Sequence, residues 1–258
     1  MRWQAGFWGA RGKPRATEVT ETRQSTARHR GRHGPKARAT ALGLALWAVP
    51  AMGADDFIVT DGPLSDEDFY RLVACAASPG EACTKDIVRW RIDRPLRVSL
   101  ARVDTALLGG KKKRAEASIT RAVQYLNEAD FGLTLEAVPR NIPADIRVYL
   151  IDTDGETPII DSGIDWMEGL TVSGARVLVW ADRDSGTIAR AAVVFGTKMP
   201  IEQYESAMIE EITQAMGLLT DIRNPEYEGV SVFSQDSNAA KRLGPQDIIA
   251  LRRHYQEN

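Results

Sequence analysis

The order in which strand-like and helix-like runs succeed one another constrains the fold of this chain more than any other feature. RPLRVSLARV (94–103) is β-branched and half-alternating, the pattern of a strand. KKKRAEASITRAVQYLNEAD (111–130) then places Ala115, Ile119, Ala122, Val123 and Leu126 on one helical stripe. LTLEAV (133–138), DIRVYLI (145–151), ARVLVW (175–180) and ARAAVVFGT (189–197) read as further strands, parted by turn-forming Asp, Gly and Pro. From Pro200 the helical period returns: MPIEQYESAMIEEITQAMG carries a stripe of Ile201, Tyr204, Met208, Ile212 and Ala215, with Gly217 as its natural stop. A last helix begins at Pro245, and a short one is predicted over LSDEDFYRLVACAA (64–77), with Ser65 as its N-cap. This order predicts an α+β domain with a mixed, twisted sheet and no internal repeat.

Charge is divided unevenly along the 258 residues. Residues 1–54 hold ten Lys/Arg and two acids, whereas the remainder holds 23 basic and 33 acidic residues, a net of −10. A nucleic-acid binder keeps its positive charge on the folded part, so nucleic acid is set aside as a partner. The basic stretch RHRGRHGPKAR is followed by the apolar run ALGLALWAVPAMGA (41–54) and then by Asp55 and Asp56, the order of a secretory signal. Cleavage is expected near Ala54. A membrane-spanning helix needs roughly 20 apolar residues, so this shorter run predicts no transmembrane anchor in the mature chain, which is expected to be exported to the periplasm or beyond. Three parts follow: a basic leader plus signal peptide over 1–54, an opening segment with a short helix over 55–93, and the main domain over 94–258.

Export bears on the two cysteines. Cys75 and Cys83 flank a Ser-Pro-Gly turn in ACAASPGEAC, and an oxidising compartment favours a disulfide between them. So short a loop makes it a local clip, worth about 2–3 kcal/mol in the chain-entropy picture. A redox or metal pair would need closer spacing or further ligands.

The chemistry-bearing residues cluster in IEEITQAMGLLTD (209–221). Glu210 and Gln214, four apart, share a helix face opposite the apolar stripe, with Glu211 to one side. The segment resembles the zinc helix of metzincin peptidases, H-E-x-x-H-x-x-G-x-x-H, in which two imidazoles hold zinc and the glutamate polarises a metal-bound water. In that frame Glu210 stands at the first histidine, Glu211 at the catalytic glutamate, Gln214 at the second histidine, Gly217 at the glycine and Thr220 at the third ligand, with Asp221 one position beyond. SVFSQDS (231–237) is similar to the methionine-turn segment, with Phe233 in place of methionine, and LGPQDIIALRRHY (243–255) to the closing helix. The resemblance implies a zincin-like architecture without its ligands. The chain's histidines are His29, His33 and His254, none within the motif. Glutamate, glutamine and threonine make a poor zinc set, so no cofactor is expected; Ca²⁺, Mg²⁺ or Mn²⁺ on Glu210, Glu211 and Asp221 is conceivable but short of oxygen donors.

Taken from LSDEDFYRLVACAASPGEAC through KDIVRW and RPLRV to EEITQAMGL and LGPQDIIALRRHY, the chain resembles the bacterial domain of unknown function 2927 family of exported proteins. The resemblance implies no defined activity. Some members are described as lipoproteins, and this chain lacks the lipid-accepting cysteine.

Simpler accounts stand beside these. Glu210 and Glu211 also fit charges on a solvated helix face, the usual fate of glutamates. DTDGE (152–156) and DRDSG (182–186) read as solvated turns rather than calcium loops, and Lys111–Arg114 as an exposed helix start. Trp90, Trp166 and Trp180 read as core rather than groove lining. Three functions follow. The favoured one is a non-catalytic zincin-like envelope module binding a peptide, protein or envelope polymer. The alternative is a peptidase-like hydrolase with Glu211 as general base, served by an oxygen-ligated metal or none and by Glu210 or Asp221 as acid. The third is a calcium-stabilised structural domain.

Overall fold

The computed structural model describes residues 57–256, together with the two-residue strand Gly6–Phe7; the rest of the expected leader and signal segment lies outside the described residues. The main sheet is built where the sequence alternates. Strand β3 (Leu96–Val103) passes into helix α2 (Gly110–Glu128), which returns the chain to β4 (Leu135–Ala137), parallel to β3. A parallel pair requires such a crossover, and the stripe of α2, buried at Ala115, Ile119, Ala122, Val123 and Leu126, supplies the face that covers it. Strand β5 (Ile146–Ile151) adds on the other side of β3, and β7 (Ile188–Gly196) lies parallel to β5. Between them in sequence comes β6 (Ala175–Ala181), antiparallel to β7. The order across the sheet is β1-β6-β7-β5-β3-β4, where β1 is Gly6–Phe7.

Alternation along the strands separates two apolar layers. Ile146, Val148, Leu150, Val177, Val179, Val193 and Phe195 face the helices and join the main core. Tyr149, Ile151, Leu178, Trp180 and Val194 face the other way and are covered by the 152–174 connection through Ile159, Met167 and Val172. Strands buried on both faces need apolar residues at successive positions, which is why β5 reads IRVYLI rather than as a strict alternation. Trp90 and Trp180 are buried, as expected of core residues, whereas Trp166 is half-buried at the edge of the second layer. Trp90 is buried in the main core and donates its Nε1–H to the Ala215 carbonyl (2.9 Å), while Trp166 meets Trp180 edge-on at 5.3 Å.

The opening segment is part of the same core. In α1 (Asp66–Cys75) the Ser65 hydroxyl caps the Asp68 N–H at 3.1 Å, and Phe69, Leu72 and Val73 are fully buried. The helix ends at Ala76 in the left-handed region (φ 53°), and Cys75 is joined to Cys83 by a disulfide. Two three-residue strands, β2 (Phe57–Val59) and β8 (Asp221–Arg223), pair in parallel as a second sheet; neither is long enough to show a period in sequence. The helix predicted from Pro200 starts as a 3₁₀ turn over Ile201–Gln203 and continues as α3 (Tyr204–Gln214). The chain closes with α4 (Pro245–Tyr255), which packs against α1.

The acidic turns are solvated Asx turns, as expected: an Asp154 oxygen accepts from the Glu156 and Thr157 N–H groups, and an Asp182 oxygen from the Ser185 N–H. The basic start of α2 is less free than expected. Lys112 reaches Glu116 at 3.2 Å, and Arg114 and Arg121 both meet Glu205 of α3. Among the described residues no helix is long and apolar enough to cross a membrane.

Candidate functional site

The face of α3 opposite its apolar stripe is where the sequence placed a solvated or cleft-lining surface, and there the structure differs. Glu210, Glu211 and Gln214 are buried, at 4, 2 and 4% exposure, so the solvated-face account is overturned. The cause is tertiary: β6 lies against one side of α3, and the chain turns at Gly217 to bring β8 back toward the helix end. Gly217 is required at that turn. Its φ is +103°, and a Cβ there would lie 2.0 Å from the Val88 carbonyl oxygen.

The turn delivers Asp221, itself buried, to Gln214, whose Nε2–H donates to Asp221 Oδ1 at 2.6 Å. A carboxylate only accepts, which assigns the amide orientation. Thr220 is buried and tied through its backbone N–H to the Val73 carbonyl (3.2 Å), but its Oγ1 has no hydrogen-bond partner. The same holds for Glu211 Oε2, and for Ser234 Oγ and Gln235 Oε1 in the segment that hydrogen-bonds to Ile222 of β8. The structure thus brings Glu210, Glu211, Gln214 and Asp221 into one buried polar group, with Thr220 alongside.

Burial dominates the electrostatics. It pushes the Glu210 carboxyl well above the ordinary range, and the charges of Asp221 and Glu211 push it further. Glu211 is raised by burial and by Asp221, with Arg176 of β6 opposing. Sequence reasoning missed Arg176, Ser234 and Gln235. The first lies in a strand read only for its apolar positions, and the others in a segment noted for its place in the frame.

The residues at the zinc positions make a poor zinc site. Among the described residues no group of three or more His, Cys, Asp or Glu is arranged to hold an ion, and the donors of the zinc frame are carboxyls, an amide and a hydroxyl. His254 is committed elsewhere, with its Nε2 2.9 Å from the Val88 carbonyl oxygen and its Nδ1 3.4 Å from the Tyr70 hydroxyl. Val88 O can only accept, so Nε2 carries the proton.

Burial, and secondarily Arg89, lowers the His254 pKa to about 3. An unfolded histidine protonates near 6.5, so between pH 6.5 and 3 the unfolded chain takes up a proton that the native state refuses. Stability from this group is therefore lost as pH falls through that window. We expect the unfolding constant of the wild type, relative to His254→Gln, to rise by up to about tenfold per pH unit of acidification. Urea titrations at pH 7, 5.5 and 4.5 check this; a ratio independent of pH would contradict it.

No curated protein matches the chain. The model of the family described as Protein of unknown function (DUF2927) matches residues 66–258, three quarters of the chain, and with the α1 helix, the disulfide and the buried EExTQ helix all inside that span, the protein belongs to this family.

Proposed function

We propose that the protein is a non-catalytic, zincin-like module of the bacterial envelope, exported after signal cleavage near Ala54, that binds a peptide, a protein or an envelope polymer. One observation carries the reading. Glu211, at the position of the catalytic glutamate in the metzincin frame, is 2% exposed and faces the Asp221 carboxyl and the Arg176 guanidinium, where a peptidase needs a metal-bound water. The succession β3, α2, three further strands of the same sheet after β4, then α3 agrees with the zincin-like order read from the sequence. Peptide hydrolysis also needs an electrophile for the developing oxyanion, and Gln214 has one of its two amide N–H donors engaged with Asp221.

A second reading, a metal-free hydrolase, draws on the Glu211 Oε2 atom that lacks a hydrogen-bond partner and on the raised affinity of that carboxyl for a proton, as befits a general acid or base. The two separate in one experiment. Pools of peptides and of envelope glycan fragments are incubated with the purified protein and recovered for mass spectrometry. The binding module should retain some of them and return them intact, equally in wild type and Glu211→Gln. Cleavage that disappears in Glu211→Gln would replace this reading with the hydrolase.

A further inference from the structure

The two edges of the main sheet are finished differently. At β4 one side chain takes both backbone groups of Leu135: Asn127 accepts from the Leu135 N–H at 2.8 Å and donates to its carbonyl at 3.0 Å. That strand is three residues long, carries Glu136 in an ion pair with Arg97, and is followed within two residues by Pro139. Shortness, charge and a nearby proline are the devices by which sheets keep an edge from recruiting another chain.

Strand β6 lacks most of them. Its seven residues, ARVLVWA, hold one charge, at Arg176, and no proline, lysine or carboxylate. Val177 and Val179 are buried toward the helices, and Leu178 and Trp180 toward the second layer, so the run is apolar on both faces. One side of it pairs with β7 from Ala175 to Ala181. A run of this length, rich in strand-forming residues and nearly uncharged, is the type of sequence that adds further strands at an open edge. On the other side an extended segment of the chain itself is seated. Gly6 and Phe7 pair in parallel with Leu178 and Val179, and the sequence around them, QAGFWG (4–9), carries no charge.

We propose that the outer edge of β6 is a strand-addition site for an extended, uncharged, apolar peptide segment, and that Gly6–Phe7 fills it until the leader is removed. This rests on the exported, ligand-binding reading above and gives that binding both a place and a ligand class. Main-chain hydrogen bonds supply the affinity, and the apolar layers on either side of β6 favour apolar residues at alternate positions of the added strand. By occupying the edge, the leader strand also keeps the uncleaved chain from pairing through β6 with another chain.

The probe is a synthetic peptide of residues 3–10, WQAGFWGA, followed by fluorescence anisotropy. The full chain, with its edge filled, should bind it about tenfold or more weakly than a full-length Gly6→Pro/Phe7→Pro variant, whose own segment has no N–H to donate at either position. Both substitutions lie in the leader, so the fold of the domain is untouched. Peptides N-methylated at the position of Gly6 or of Phe7 then read the geometry. Successive N–H groups of a strand point to opposite sides, so one methylation should weaken binding to the variant about tenfold and the other should leave it unchanged. No binding by the variant, equal binding by variant and full chain, or methylations that both weaken or both spare binding would overturn the proposal. Ligands retained from the peptide and glycan pools by a protein that fails this test leave the binding module standing and remove the β6 edge as its place; a positive result here with nothing retained from the pools supports the edge and counts against the envelope reading.

Discussion

Gly217→Ala should be the most damaging single methyl group that can be added to this protein, with an expected loss of about 4 kcal/mol or more. Two penalties combine. At φ +103° an alanine is strained by about 1–3 kcal/mol, and its Cβ would sit 2.0 Å from Val88 O and 3.0 Å from His254 Nε2. The carbonyl cannot retreat cheaply. His254 donates to it, Arg89 next in the chain exchanges backbone hydrogen bonds with Gly186 and Ile188, and Trp90 is anchored to Ala215. The melting temperature should fall on the order of 10 °C or further, since each kcal/mol is worth roughly 2–4 °C in a domain of this size. Gly62→Ala is the control: φ is +66° with nothing within 4 Å, so it carries conformational strain alone. Equal losses in the two variants would show that the collision with Val88 does not matter.

Asp247→Ala should come second, at about 3–5 kcal/mol. The side chain is fully buried at the first turn of α4, where it accepts from the Ser231 hydroxyl at 2.6 Å, the Val232 N–H at 3.0 Å and the Gly244 N–H at 2.7 Å. Burial raises its pKa to about 6, against the pull of these three donors, so it is chiefly ionised at pH 7. Alanine leaves three buried donors without an acceptor, each of which costs about 1–3 kcal/mol before relaxation or water entry recovers part of it. Asp247→Asn keeps one acceptor oxygen and should lose about half as much. Equilibrium denaturation of the three proteins at pH 7 checks the order; an asparagine variant as unstable as the alanine one would mean that the negative charge, rather than the hydrogen bonds, holds the turn.

Much of the scaffold was legible because it rests on local patterns. The stripe of α2, the five strand runs that became β3 to β7, the Ser65 cap and the Cys75–Cys83 pairing all sit within stretches short enough for period, capping and spacing to declare themselves. The second sheet was not legible, since Phe57–Val59 and Asp221–Arg223 are three residues each and acquire their conformation only from one another. The environment of Glu210 and Glu211 was hidden for a related reason. A helix with one apolar stripe ordinarily shows its other face to water, and nothing within residues 204–214 announces that a distant strand and a returning loop will cover it. Glycine at 217 was legible as a helix stop, but not as the point where the backbone of residue 88 passes too close for any side chain. The same limit applies to Arg176, whose relevance to Glu211 exists only once β6 lies beside α3.

The pairing of β2 with β8 has a consequence for the order of assembly. Phe57 and Asp221 are register partners although about four fifths of the described chain lies between them, so the strand that bears Asp221 is seated by residues at the start of the domain. During synthesis from the N-terminus, residues 57–59 emerge before β3 to β7 and stay unpaired until β8 is made. Closing so long a loop is a slow, late step, because its entropy must be surrendered before the contact is gained. The buried polar group that includes Asp221 is therefore completed near the end of folding. Trimming the chain past Phe57 would keep β3 to β7 of the main sheet in sequence while removing the strand that positions Asp221.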